Sequence, residues 1–226
     1  IMEAGMVGAG RDNSIGVSIR LPFETSANEV IQGDTKYVSM RYFFTRKLML
    51  VKESHAFICM PGGFGTLDEM FELLTLTQTG KGLPVPILLM DLEHDPYWES
   101  IEQVINEQLL PRGLISRDDL ALFSVCHSPE EAVRHIAQFY SNYRSMRFVG
   151  SQLVLRLSKP VSDELLDAIN AEFGHLCKRG GFERVSPLPP EMSDDDDISA
   201  HRIAFHFVRR GFGDLRRLIN HLNQYG

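Results

Sequence analysis

Apolar and polar positions along this chain fall into short runs whose period changes repeatedly. The most informative run is Ala56-Phe57-Ile58-Cys59-Met60, which stops abruptly at Pro61-Gly62-Gly63. A helical pattern follows over 66–79, with Met70, Leu73, Leu74 and Thr77 on one stripe. Asp68 and Glu69 sit in its first turn. The reading is strand, tight loop, helix N-terminus. In α/β proteins such a junction lies at the carboxyl edge of the sheet, where ligands bind.

The same reading extends in both directions. Residues 1–10 predict a short helix closed by a Gly8-Ala9-Gly10 turn. Ile15, Val17, Ile19 and Leu21 alternate as a strand that Pro22 ends, and a polar loop containing Asn28 follows over 23–35. Positions 37–53 read as one helix, with Arg46 and Lys47 set among Phe43, Phe44, Leu48 and Met49. Beyond the central helix, 85–90 is continuously apolar, as a strand covered on both faces should be. A helix over 97–109 with Asp95 as its cap, a strand ending near Val125, and a helix opening at Ser128-Pro129-Glu130-Glu131 complete the pattern. Alternating strands and helices at this spacing predict a parallel sheet with right-handed crossovers.

Residues 144–151 read as a linker into a second unit. There, 152–157 and 203–207 alternate as strands, 162–178 and 214–223 are helical, and 182–185 is a short strand. The order β-α-β-β-α resembles part of a ferredoxin-like unit. The acidic run Asp194–Asp197 lacks the glycine and distal glutamate of a calcium loop and reads as a solvated loop. The expected fold is therefore α/β, a Rossmann-like doubly wound parallel sheet over 1–146, with a small C-terminal α+β unit over 150–226. No opening strand precedes Ile1, so the chain is expected to begin partway into its first domain.

Composition narrows the function classes. The 226 residues are 43% hydrophobic and 23% charged, ordinary for a globular protein, and the net charge is −7. Without a basic block, general nucleic-acid binding is not expected. Cys59, Cys126 and Cys177 have no paired spacing, which suits free thiols in a reducing, cytoplasmic setting. No apolar stretch is long enough to span a membrane, and no signal peptide is evident.

Three groups carry candidate chemistry. Gly62, Gly63 and Gly65 permit close backbone approach, and the amides around Thr66 would favour a phosphate or carboxylate. Alone, this supports only a generic anion site. Arg46 and Lys47 are either a surface stripe or, with Arg46 turned inward, donors to a phosphate or nucleobase. Glu69 and Glu72 are either solvent-facing acids or groups that grip ribose hydroxyls and stabilise positive charge at a sugar carbon. No metal-ligand spacing and no Ser-His-Asp pattern is present.

Pro61-Gly62-Gly63-Phe64-Gly65-Thr66-Leu67-Asp68-Glu69, preceded by Arg46-Lys47, resembles the PGGxGTxxE signature of the LOG family. These are nucleoside-monophosphate phosphoribohydrolases that activate cytokinins and were formerly labelled lysine decarboxylases. Ile1-Met2-Glu3-Ala4 is similar to the tail of the family's other glycine loop, and the stretch 14–24 resembles larger bacterial members with a C-terminal extension. The resemblance implies a Rossmann-like homodimer that hydrolyses the N-glycosidic bond of AMP or a related nucleotide, with no cofactor and no metal. It implies Arg46 and Glu69 as catalytic residues, and Glu3, Lys47, Gly62, Gly63, Gly65, Thr66 and Glu72 as substrate contacts. The alternative is a non-catalytic nucleotide or molybdenum-cofactor carrier.

Overall fold

A computed structural model describes residues 2–20, 28–92 and 94–225, and these form two compact units, 1–55 and 56–226. The first unit contains α1 (Met2–Ala9), β1 (Gly16–Ile19), β2 (Tyr37–Met40) and α2 (Phe43–Glu53). β1 and β2 pair in parallel, Val17 opposite Val38. Positions 37–53 are thus a strand followed by a helix, not one long helix. Tyr37 and Val38 suit a pleated strand, and Tyr42, in extended backbone, caps the helix that begins one residue later. The expected strand end at Leu21, its stop at Pro22 and the first part of the 23–35 loop, 23–27, lie outside the described residues.

The second unit opens with β3 (Phe57–Cys59), α3 (Phe64–Gln78), β4 (Ile87–Met90), α4 (Tyr97–Val104), β5 (Ser124–Cys126) and α5 (Pro129–Phe139). The strands pair in parallel in the order β3-β4-β5, with a helix in each connection. Both parallel sheets are flanked by helices in the doubly wound, Rossmann-like arrangement that the periodicity predicts. Ile87, Leu88 and Leu89 are fully buried, as the unbroken apolar run requires. α4 continues into a wider π-type turn over Ile105–Leu109. Its cap is Asp91 rather than Asp95. The Asp91 carboxylate, 3% exposed, accepts from the amides of Trp98 at 2.6 Å and Glu99 at 3.1 Å.

The remaining elements are β6 (Tyr143–Val149), β7 (Gln152–Leu157), α6 (Asp163–Phe173), β8 (Glu183–Arg184), α7 (Pro189–Ser193), β9 (His201–Phe205) and α8 (Phe212–Tyr225). The expected linker over 144–151 is therefore mostly β6 and its turn into β7. Tyr143 and Met146, brought to one face by a register irregularity between Tyr143 and Ser145, pack on the core while Arg144 is exposed. The four strands are antiparallel in the order β6-β7-β9-β8. The order β7-α6-β8-α7-β9-α8 keeps the expected sequence of strands and helices with α7 inserted, and β6 adds the outer strand beside β7. Leu153, Leu155, Leu157, Ile203 and Phe205 meet Ile169 and Phe173 of α6 and Leu215, Leu218, Ile219 and Leu222 of α8 in one core.

α8 also fastens the start of β6 and the segment leading into β4. Asn223 Oδ1 accepts from the amides of Asn142 and Tyr143 at 3.2 and 2.7 Å, and Asn142 Nδ2 donates to Leu222 O at 3.1 Å. Arg216 is buried, lies 4.2 Å from the Phe139 ring centroid and donates to Val85 O at 2.7 Å. Burial pushes its guanidinium down to about 10, still charged at neutral pH.

The acidic run is a turn with Asp194 and Asp195 exposed, as expected, but it is ion-paired as well. Asp194 and Asp196 take Arg147 at 2.6 and 2.7 Å, Asp197 takes Arg144 at 2.9 Å, and Asp196 also takes Arg156 at 2.6 Å. Beneath them Glu191, fully buried, accepts from Arg156 at 2.7 Å and Arg202 at 3.3 Å. Burial alone would raise the Glu191 carboxyl, but the hydrogen bonds from Arg156, the Leu188 amide and Arg202 hold it below its ordinary value. A depressed folded-state value adds stability above the unfolded value, and that stability is lost as pH falls through the folded one. Glu191→Ala leaves the buried Arg202 without a carboxylate, removes one of the two that Arg156 has, and is expected to cost about 3–5 kcal/mol in urea denaturation at pH 7. The wild type should also lose stability more steeply than this variant as pH drops below 4.5, the ordinary glutamate value.

Candidate functional site

β3 ends at Cys59, the chain turns through Pro61, Gly62 and Gly63, and α3 begins at Phe64, two residues earlier than expected. Gly63 is the N-cap and provides no side chain, so the first turn depends on backbone groups. The Thr66 and Leu67 amides both donate to Gly63 O, at 3.0 and 3.2 Å. Among the described residues the amides of Gly63, Phe64 and Gly65 donate no backbone hydrogen bond. These three, with the helix dipole behind them, are the donors available to an anion. Thr66 meets the loop through its side chain.

The three glycines differ in what they do. None has a left-handed backbone. A Cβ at Gly62 would collide with Thr66 Oγ1, so packing inside the protein demands glycine there. At Gly63 and Gly65 an added Cβ would meet nothing within 4 Å. Internal packing does not demand glycine at those two positions, and the open space above them lets another molecule approach the backbone. Tyr97, the first residue of α4, ties the loop down by donating from Oη to Gly62 O at 2.7 Å. Sequence reasoning missed it, because nothing local links a helix-initial tyrosine to a carbonyl 35 residues upstream.

Glu69 and Glu72 are half-buried on successive turns of α3, whose buried stripe is Met70, Leu73 and Thr77. Burial and the Glu69 carboxylate push the Cys59 thiol up to about 11. Glu69 therefore acts electrostatically at the end of β3, the carboxyl edge of the parallel sheet. Cys59 stays protonated and inert at neutral pH.

The other predicted residues belong to the first unit. Glu3 is exposed on α1. Arg46 is half-buried on α2, and its Nε donates to Val17 O of β1 at 3.2 Å. It is thus turned toward its own sheet, not spread along a solvent stripe. Lys47 is half-buried beside it. Asn28 Oδ1 accepts from the Ile31 amide at 3.2 Å and shapes the turn before β2. Among the described residues no group of three or more His, Cys, Asp or Glu side chains could hold a metal ion, and no helix is long and apolar enough to cross a membrane.

Residues 2–136 match the family model described as "Possible lysine decarboxylase". Over 124 residues the chain is 29% identical to the cytokinin riboside 5′-monophosphate phosphoribohydrolase LOG of Oryza sativa subsp. japonica, covering 54% of this chain and 48% of that protein. Two phosphoribohydrolases of the same description from Arabidopsis thaliana are similar. One is 30% identical over 95 residues, 42% of each chain. The other is 28% identical over 127 residues, 56% of this chain and 55% of that protein. The chain spans about half the length of the curated relatives it matches.

The contrast among the glycines is measurable in stability alone. Gly62→Ala is expected to lose about 1–3 kcal/mol by forcing Thr66 and the loop apart. Gly63→Ala should stay within about 0.5 kcal/mol of the wild type. Chemical denaturation of the two variants checks this, and equal losses would refute the distinction.

Proposed function

The chain belongs to the possible lysine decarboxylase family, that of the LOG phosphoribohydrolases, and we propose that it hydrolyses the N-glycosidic bond of a nucleoside 5′-monophosphate. AMP is the preferred candidate substrate, and cytokinin nucleotides are a subset of the same class. The products are free base and ribose 5-phosphate. The reading includes a place among larger bacterial members with a C-terminal extension, a homodimeric state and a cytoplasmic location.

The observation that carries this reading is the pairing of an open glycine loop with a half-buried carboxylate at the same strand end. The 5′-phosphate is assigned to the amides of Gly63 and Gly65, with Gly62 and Thr66 shaping the loop. Cleavage of the glycosidic bond concentrates positive charge on the sugar, which calls for a preorganised negative group rather than a nucleophile. Glu69 is assigned that role and the orientation of the attacking water, while Glu72 contacts ribose hydroxyls. Arg46 is assigned to the phosphate or the departing base, and Glu3 and Lys47 to further substrate contacts. Decarboxylation, the activity in the family's descriptive name, would require an electron-sink cofactor. The segment 56–80 contains no lysine to anchor one.

The exposed Phe43, Phe44, Leu48 and Met49 of α2 support a partner copy over that helix. Light scattering should give twice the 25.6 kDa chain mass, and a monomer at micromolar concentration would refute the dimer.

Activity is tested by incubating the full chain with AMP and other nucleoside monophosphates and assaying base and ribose 5-phosphate. Glu69→Gln and Arg46→Ala are each expected to lower kcat about 10²–10³-fold with unchanged circular dichroism. Undiminished turnover in both variants would refute the site. Nucleotide binding with no product from any monophosphate would favour a carrier instead.

A further inference from the structure

The antiparallel sheet has a cavity of about 360 Å³ far along the chain from the glycine loop, lined by Ser151, Lys178, Arg179, His206, Phe207 and Arg209 among others. Its frame is rigid. Cys177 and Phe207 form an isolated bridge, the Lys178 amide donates to His206 O at 2.6 Å, and the Val208 amide donates to Leu176 O at 3.0 Å. These bonds hold 177–179 beside 206–209, so three cationic side chains share one mouth. Arg209 has a left-handed backbone, φ 57°, and its guanidinium lies 4.9 Å from the Phe148 ring centroid. Ser151 Oγ lies 3.3 Å from His206 Nδ1.

The charge pattern sets this cavity apart. In the same sheet Arg144, Arg147, Arg156, Arg184 and Arg202 each have a carboxylate partner. Among the described residues Lys178, Arg179, Arg209 and the adjacent Arg210 have none within 4 Å. An acidic chain of net charge −7 thus places three cations without a carboxylate partner, Lys178, Arg179 and Arg209, around one concave site. Like charges brought together repel, and an anion seated among them relieves that repulsion.

We propose that this cavity binds a small phosphate-bearing anion with at least two negative charges, at a site separate from the glycine loop. Arginine forks and a lysine ammonium match phosphate oxygens, and Ser151 adds a hydroxyl donor. The cavity has the volume of a small-molecule pocket, and the chain's net charge of −7 disfavours an extended nucleic acid. This site does not depend on the proposed hydrolase activity.

The test is a titration of the ¹⁵N-labelled full chain with inorganic pyrophosphate at constant ionic strength, following amide resonances. Saturable shifts are expected at Ser151, Lys178, Arg179 and Arg209. The combined Lys178→Gln, Arg179→Gln and Arg209→Asn variant should weaken those shifts at least tenfold while leaving AMP turnover unchanged. Asparagine at 209 keeps the left-handed backbone accessible. Should the triple variant fail to fold, the single Lys178→Gln and Arg209→Asn variants supply the comparison, each with a weaker apparent affinity. Shifts confined to 62–66, no shifts at all, or shifts that survive the substitutions would overturn the proposal. Responses at 62–66 are read separately, so loss of one site leaves the other interpretable.

Discussion

Burial of α8 on nearly every side is the constraint on which the second unit depends. Phe212, Leu215, Leu218, Ile219 and Leu222 are buried, and so are Arg216 and Asn223 on the same helix. The apolar residues fill the core under the antiparallel sheet. The two polar ones satisfy backbone groups outside the helix, Val85 O ahead of β4 and the amides of Asn142 and Tyr143 at the start of β6. Buried polar groups are tolerated only with partners, so these bonds set the rotation and depth of the helix. A Cβ at Gly80, just beyond α3, would strike the Phe212 ring, and one at Gly213 would strike Asp118 O. Contacts this close leave little room for sliding.

Electrostatics divides the antiparallel sheet into two kinds of surface. Around Glu191 and Asp194–Asp197, arginines and carboxylates neutralise one another and clamp a loop that would otherwise be free to move. Around Lys178 and Arg209 no such neutralisation exists among the described residues. The glycine loop follows a third logic, in which fixed amides and a helix dipole supply positive potential without any side-chain charge. A half-buried glutamate can stand next to that potential because the donors are neutral groups.

Features with a local signal were legible in the sequence. The strand-loop-helix junction, the buried run before Asp91, the Ser128 cap and the alternation of 152–157 all depend on residues a few positions apart. The failures have a common cause in partners distant in sequence. The acids that balance Arg144 and Arg147 of β6 lie 47–53 residues further on, so neither the strand nor the ion pairing of the acidic run has a local signal. Asp91 was passed over as a cap because Asp95 stands closer to the helix, whereas the carboxylate at the end of β4 spans the loop to reach it. At the site, the glycine motif and Glu69 were readable. The Tyr97 tether, the open space at Gly63 and Gly65 and the packing need at Gly62 became visible only with coordinates.

The link between Arg216 and Val85 joins residues 131 positions apart. A growing polypeptide emerges from the ribosome in order, so β3, the glycine loop and α3 are exposed to solvent well before α8 exists. Until then Gly80 has no aromatic ring against it and Val85 O has no guanidinium. α3 therefore settles into its final position late in synthesis. In the interval its apolar stripe is a surface for chaperones or for misassociation.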